Sequence, residues 1–87
     1  LKPRDPAIKD SYGWLLYRQG DFRAALDYIR QAYGLVKDPE IGGHLGEILW
    51  AQGNHAQARK VWREAVRKDP EHARLKRLRE KYPDGFR

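Results

Sequence analysis

The sequence predicts an all-α protein in which two antiparallel helix pairs and one further helix, five helices in total, stack as a segment of α-solenoid. The main observation is an internal repeat, because the stretch that begins at Asp5 recurs at Asp38, 33 residues later. Within each copy, apolar residues recur every three or four positions, the period of an amphipathic helix. A glycine-containing turn divides each copy into two such helices. With 87 residues, we expect a single domain over 1–87.

The first repeat is predicted over about residues 6–37. Its first helix begins at Asp5-Pro6, because aspartate caps free backbone N–H groups and proline suits the first turn of a helix. The turn at Gly20-Asp21 ends that helix, and a second helix is predicted over 22–35. The apolar faces of the two helices are Ile8, Tyr12, Leu15 and Leu16, then Phe22, Ala25, Leu26, Ile29 and Ala32.

The second repeat, over about residues 39–69, follows the same scheme. Asp38-Pro39 begins its first helix, Gly53-Asn54 ends it, and its second helix is predicted over 55–68. Its apolar faces are Ile41, Leu45, Ile48 and Leu49, then Ala58, Val61, Trp62 and Ala65. A capping helix is predicted over about 70–82, because a solenoid needs a last helix with one polar face. Its apolar residues are Ala73, Leu75, Leu78 and Tyr82.

This pattern resembles the tetratricopeptide repeat. The small-residue positions of that family fall here on Gly13, Ala25, Ala32, Gly46, Ala58 and Ala65, and its turn glycine falls on Gly20 and Gly53. The resemblance implies a scaffold or adaptor whose first helices line a concave face that binds a protein or peptide. The family's carboxylate clamp, which grips a peptide end with Lys and Asn side chains, does not carry over. The corresponding positions hold Asp10, Trp14, Gly43 and Glu47.

The amino-acid sequences of both repeats are also similar to the C-terminal repeats of proteobacterial proteins that contain many such repeats. Many of those proteins are cell-envelope lipoproteins that act as adaptors. The similarity therefore implies a location in the periplasm or cell envelope, with the cytoplasm as the alternative. Separately, the predicted capping helix, with no matching cap before the first repeat, predicts that this segment ends a longer array, with further repeats before Leu1.

Four glycines lie inside the predicted first helices, where each costs roughly 0.5–1 kcal/mol relative to alanine. Gly13 and Gly46 occupy matching positions, and we expect them to let paired helices approach closely. Gly42 and Gly43 match Lys9 and Asp10 in the first repeat, so the repeat itself does not demand glycine there. We interpret them as tolerated, with close approach of another group as the alternative. The first interpretation predicts that Gly42→Ala is neutral or slightly stabilising.

The candidate binding surface is centred on Trp14. At 100° per residue, Trp14 points away from the packing stripe of its helix and towards the concave face. We predict an exposed indole beside a gap left by Gly43, with Trp14→Ala leaving the melting temperature nearly unchanged. The alternative is that Trp14 packs on a preceding repeat or on the segment around Pro3 and Pro6. The predicted site residues are Asp10, Trp14, Tyr17, Arg18, Gly43, Glu47 and Trp50, of which Tyr17 and Trp50 could instead pack against the next helix.

The sequence offers no catalytic or metal-binding constellation. There is no cysteine, and Ser11 is the sole serine, with nothing to orient it beside a histidine. His44 and Glu47 form half of a possible metal site, and no second pair accompanies them. We interpret both as solvated side chains. The sequence thus predicts neither an enzyme nor a cofactor, and no apolar run has the length of a membrane span.

Charge is distributed unevenly along the chain. The net charge is +6, and residues 59–87 carry all of the excess, with 11 Lys and Arg against 5 Asp and Glu. This basic third is the alternative functional region, for nucleic acid or another anionic surface. Proteins that bind nucleic acid usually pair a basic patch with stacking aromatics or a groove-reading helix. Nucleic acid is disfavoured here because the aromatic residues lie mostly on other faces than the basic ones. A third hypothesis is that the segment only ends the array.

Overall fold

The computed structural model describes residues 5–87. Five α-helices follow one another, and a short C-terminal 3-10 turn closes the chain, which confirms the predicted all-α architecture. The helices are α1 (Pro6–Arg18), α2 (Phe22–Leu35), α3 (Pro39–Ala51), α4 (His55–Lys68) and α5 (Ala73–Lys81), and the C-terminal turn is Pro83–Phe86. The second helices of both repeats therefore have the bounds that the sequence predicts.

Local capping explains where the helices begin. The Asp5 carboxylate accepts a hydrogen bond from the Ala7 amide at 2.9 Å, and Asp38 does the same for the Glu40 amide at 2.8 Å. The helix α5 begins at Ala73, three residues later than the predicted start at 70. The reason is that the His72 side chain caps it by accepting from the Arg74 amide at 3.2 Å.

The turns inside each helix pair depend on glycine. Gly20 has φ +88° and Gly53 has φ +82°, a left-handed conformation that other L-residues adopt only at a cost. Each turn reverses the chain, so that α2 packs antiparallel to α1 and α4 packs antiparallel to α3. The two helix pairs then meet mainly through α2 and α3.

The helix α3 is the centre of the molecule. It contacts α1, α2, α4 and α5, and every residue from 41 to 49 is buried. A helix that is surrounded in this way buries all of its faces rather than a single stripe. Ile48 and Leu49, together with Ile29 of α2 and Trp62 of α4, are the largest fully buried side chains.

The glycines of α3 lie where neighbouring side chains approach the helix backbone closely. A Cβ at Gly46 would overlap the indole of Trp62, and a Cβ at Gly42 would lie 3.1 Å from Cε1 of Tyr33 and 3.3 Å from Cβ of Ala65. The structure favours the alternative for Gly42, close approach of another group, because side chains of α2 and α4 lie beside its backbone. The same overlap at Gly46 agrees with the predicted close approach of paired helices.

The two ends of the stack differ in exposure. At the α5 end, Leu75 is 2% and Leu78 is 4% exposed. On the outer face of α1, Ile8, Tyr12 and Leu15 are 39%, 47% and 50% exposed. Coverage of this face by preceding repeats stays a prediction. None of the helices within residues 5–87 combines the length and the apolar character needed to cross a membrane.

Candidate functional site

Trp14 lies on α1 against α3. Its indole stacks on the His44 imidazole, with ring centroids 4.2 Å apart and planes at 21°. Its other neighbour is Tyr17, whose ring centroid is 4.9 Å away. Trp14 is thus half-buried and packed against the core rather than freely exposed as predicted. Pro3, part of the alternative packing partner, lies outside the described residues.

Asp10 and His44 form a buried pair that joins the first helices of the two repeats. Nδ1 of His44 is 2.7 Å from Oδ1 of Asp10, and the two residues are 7% and 8% exposed. An ionised carboxylate can only accept, so we assign the proton of this bond to Nδ1. Nε2 of His44 is buried without a hydrogen-bond partner among the described residues. The expectation that His44 is solvated is therefore wrong, and Asp10 acts here as a structural partner.

Gly43 does not leave a gap. A Cβ at Gly43 would lie 3.1 Å from Cδ of Arg74 and 3.3 Å from Cδ1 of Leu78, so α5 occupies the space that the sequence reasoning left open. Arg74 is held there by Glu40, whose two carboxylate oxygens accept from its Nε at 2.8 and 2.7 Å. Sequence reasoning missed this because the packing of α5 on α3 depends on the turn between 69 and 72.

Side chains of α1 and α5 meet across α3. The Arg74 guanidinium lies 5.8 Å from the ring centroid of Trp14, within the range of a cation–π contact. About two turns further along α5, Lys81 Nζ is 3.9 Å from a carboxylate oxygen of Glu47. Glu47 is 8% exposed, which again corrects the expectation of a solvated side chain.

Tyr17 contributes a polar phenol group to the region around Trp14 and Glu47. Burial, and then the nearby negative charge of Glu47, raise the pKa of the Tyr17 phenol. The phenol therefore stays protonated and available as a hydrogen-bond donor at neutral pH. Arg18 is exposed at the end of α1. The surface formed by Trp14, Tyr17, Arg18, Arg74 and Lys81 is called the Trp14 surface below.

Trp50 belongs to a different cluster. It stacks on His55 at a centroid distance of 3.7 Å and also contacts Trp62 and Tyr82, each with centroids 5.8 Å away. Of the two residues left open by the sequence, Tyr17 therefore lies beside Trp14, and Trp50 packs towards α4 and the C-terminal turn.

The Trp14 surface combines aromatic and cationic side chains. It joins two aromatic rings to three cationic side chains drawn from α1 and α5. The part of the chain that the structure describes holds no group of three or more His, Cys, Asp or Glu side chains placed to hold a metal ion. Aromatic rings and arginines are the side chains that most often carry binding energy at protein interfaces.

Comparison with known proteins agrees with the architecture. The sequence profile of the family described as Tetratricopeptide repeat matches residues 13–71 and, in a second register, residues 44–79. The chain belongs to the tetratricopeptide repeat family. The matched ranges include both glycine turns and the first part of α5, so the family covers most of the described fold.

A curated relative and a solved structure are similar to this tetratricopeptide repeat chain. A TPR repeat-containing protein of Pseudomonas aeruginosa is 53% identical over 47 residues, which is 54% of this chain and 8% of that protein. The crystal structure of a thermophilic TPR protein from Thermus thermophilus superposes with a TM-score of 0.81 at 24% identity. It covers 97% of this chain, which in turn spans 42% of that structure's chain. At this identity the likeness concerns the fold alone.

Proposed function

We propose that this tetratricopeptide repeat segment binds a protein partner by holding an extended acidic and apolar segment of it on the Trp14 surface. Tetratricopeptide repeats generally mediate protein–protein interactions. The observation that carries the finer proposal is the stacked Trp14–Tyr17 pair beside cations of α1 and α5. We infer that the segment acts by binding and carries out no catalysis.

The chemistry of the surface favours a particular kind of partner segment. An aromatic or aliphatic side chain of the partner would gain contact area against the indole of Trp14. A carboxylate beside it would meet Arg18 and Lys81, which are exposed. Arg74 is already engaged by Glu40 at 2.7 Å, so we assign it mainly to the positioning of the indole.

The proposal is tested with peptides selected from a random display library against the purified chain. We expect the selected peptides to combine acidic with aromatic or aliphatic residues. In an Arg18→Glu and Lys81→Glu double variant, their Kd should rise by roughly tenfold or more, since charge reversal adds repulsion across the interface. Both substituted side chains are exposed, and because Lys81 also pairs with Glu47, circular dichroism of the variant checks that the fold persists.

The matched control reverses two charges elsewhere. Arg23 on α2 and Lys60 on α4 are exposed, and neither helix contributes a residue to the Trp14 surface. An Arg23→Glu and Lys60→Glu variant has the same net charge as the test variant. Equal loss of binding in both would show that net charge alone attracts the peptides, and the Trp14 surface would then be rejected as the site.

A further inference from the structure

A second candidate site lies between α4, α5 and the C-terminal turn. None of its lining residues belongs to the Trp14 surface. It is a cavity of about 170 Å³, a size that accepts roughly six non-hydrogen atoms, since cavities of about 150 Å³ accept benzene. Five arginines surround it, and its apolar wall is formed by Val66, Gly85 and Phe86. The arginines are Arg59, Arg63, Arg67, Arg79 and Arg87.

The apolar wall is built by close packing of the C-terminal turn. Phe86 stacks on Trp62 with a centroid distance of 4.7 Å and an angle of 13° between the planes. Gly85 allows this, because a Cβ there would lie 2.7 Å from Cε3 of Trp62 and 3.2 Å from Cζ3 of Trp50. The cavity is therefore a property of the folded C-terminal turn rather than a chance gap between surface side chains.

Contacts hold two of the arginines in position, and most of their positive charge has no paired carboxylate among the described residues. Nε of Arg59 donates to the Asp84 carbonyl oxygen at 2.9 Å, and the Arg79 guanidinium lies 5.7 Å from the ring centroid of Phe86. Within residues 5–87, the sole carboxylate paired with one of the five is Asp84, 3.3 Å from Arg87. Like charges that share one cavity repel each other, so an anion bound between them would be stabilised by several guanidinium groups.

We propose that this cavity binds a phosphate group. Planar guanidinium groups match phosphate oxygens in paired hydrogen bonds, and a group carrying close to two negative charges suits several arginines better than one carboxylate does. The cavity has room for one such group. The phosphate can belong to a free ion or small molecule, or to a phosphorylated side chain of a protein, because the recognising chemistry is the same.

Titration calorimetry at constant ionic strength tests the proposal, with inorganic phosphate, a phosphoserine peptide and its unmodified serine peptide as probes. We expect saturable binding of the phosphate-bearing probes with one site per chain, while the serine peptide does not bind. In an Arg63→Gln and Arg67→Gln variant, the Kd should rise roughly tenfold or more. An Arg23→Gln and Arg77→Gln variant, which loses the same charge elsewhere, should stay within about twofold of the wild type.

The remaining outcomes separate the sources and the alternatives. Comparable affinity for inorganic phosphate and phosphoserine peptide indicates a free phosphate, and much tighter peptide binding indicates a phosphorylated protein. Equal weakening in both double variants overturns the site. Binding of a DNA duplex overturns the site as well if it is as strong as phosphate binding, falls steeply with salt and does not depend on which arginines are replaced. That pattern reflects charge alone. An absence of phosphate binding to the wild type also overturns the site.

Discussion

At the scale of single residues, the fold depends on glycines that leave room for neighbouring side chains. Trp62 fills the space beside Gly46, and its Nε1 donates to the Gly43 carbonyl at 3.2 Å. The large Trp62 ring of α4 therefore requires a residue without a side chain at Gly46 of α3. The repeat comparison identifies Gly46 as a close-approach site because Gly13 matches it, whereas Gly42 and Gly43 have no glycine counterparts in the first repeat.

We predict that Gly46→Ala lowers the free energy of unfolding by about 1–3 kcal/mol, since even one methyl group would overlap the Trp62 ring. For a domain of this size that corresponds to a melting temperature lower by about 4–8 °C per kcal/mol. Gly34→Ala is the matched control, because nothing lies within 4 Å of a Cβ at that position of α2. It should leave stability unchanged or increase it by up to about 1 kcal/mol. Similar melting temperatures for the two variants would contradict the packing at Gly46.

The buried Asp10–His44 pair makes a second residue-scale prediction. Asp10→Ala leaves Nδ1 of His44 buried without its acceptor, which should cost about 1–3 kcal/mol. His44→Phe keeps an aromatic ring against Trp14 but removes the need for an acceptor. Chemical denaturation of both single variants and the double variant gives the coupling energy. We expect Asp10→Ala to be much less costly in the His44→Phe background, and an equal cost in both backgrounds would mean that the pair is not coupled.

At the scale of the elements, local signals determine most of what sequence reasoning recovers. Asp-Pro starts and glycine turns act within a few residues, so the bounds of α2 and α4 follow from the sequence. The start of α5 does not, because the Asp69-Pro70 step resembles the earlier starts while the cap is His72. The contact of α5 with Gly43 and Trp14 is even less accessible, since it depends on the path of the turn from 69 to 72 and joins residues far apart in sequence.

Packing of α5 on α3 is tested with two neighbouring substitutions. Leu78 is 4% exposed, so Leu78→Ala should cost about 2–5 kcal/mol through lost burial and a cavity. Arg77 is exposed on the same helix, and Arg77→Ala should stay within about 0.5 kcal/mol of the wild type. Thermal melts of both variants provide the measurement. If Leu78→Ala were as stable as Arg77→Ala, α5 would not cap the stack as described.

At the scale of the whole molecule, two surfaces of different chemistry lie on one small scaffold. On one surface, α1 carries two aromatic rings flanked by cations of α1 and α5, and on the other, α4, α5 and the C-terminal turn enclose the arginine cavity. The net charge of +6 favours acidic partners at both, mainly by speeding association at low salt. Sequence reasoning located Trp14 and the basic third separately. It could not assemble either surface, because Arg74 and Lys81 reach Trp14 and Glu47 only in the folded stack.

The most direct measurement for the central claim uses the three tryptophan indoles as reporters in a two-dimensional NMR titration with a selected peptide. Trp62 is fully buried. Trp14 and Trp50 are both half-buried, but Trp50 packs against His55 and Tyr82 and does not belong to the proposed surface. We expect the Trp14 Nε1–H resonance to shift saturably while that of Trp62 stays in place. A saturable shift confined to Trp50, or peptide binding that leaves Trp14 unperturbed, would contradict the assignment of partner binding to the Trp14 surface.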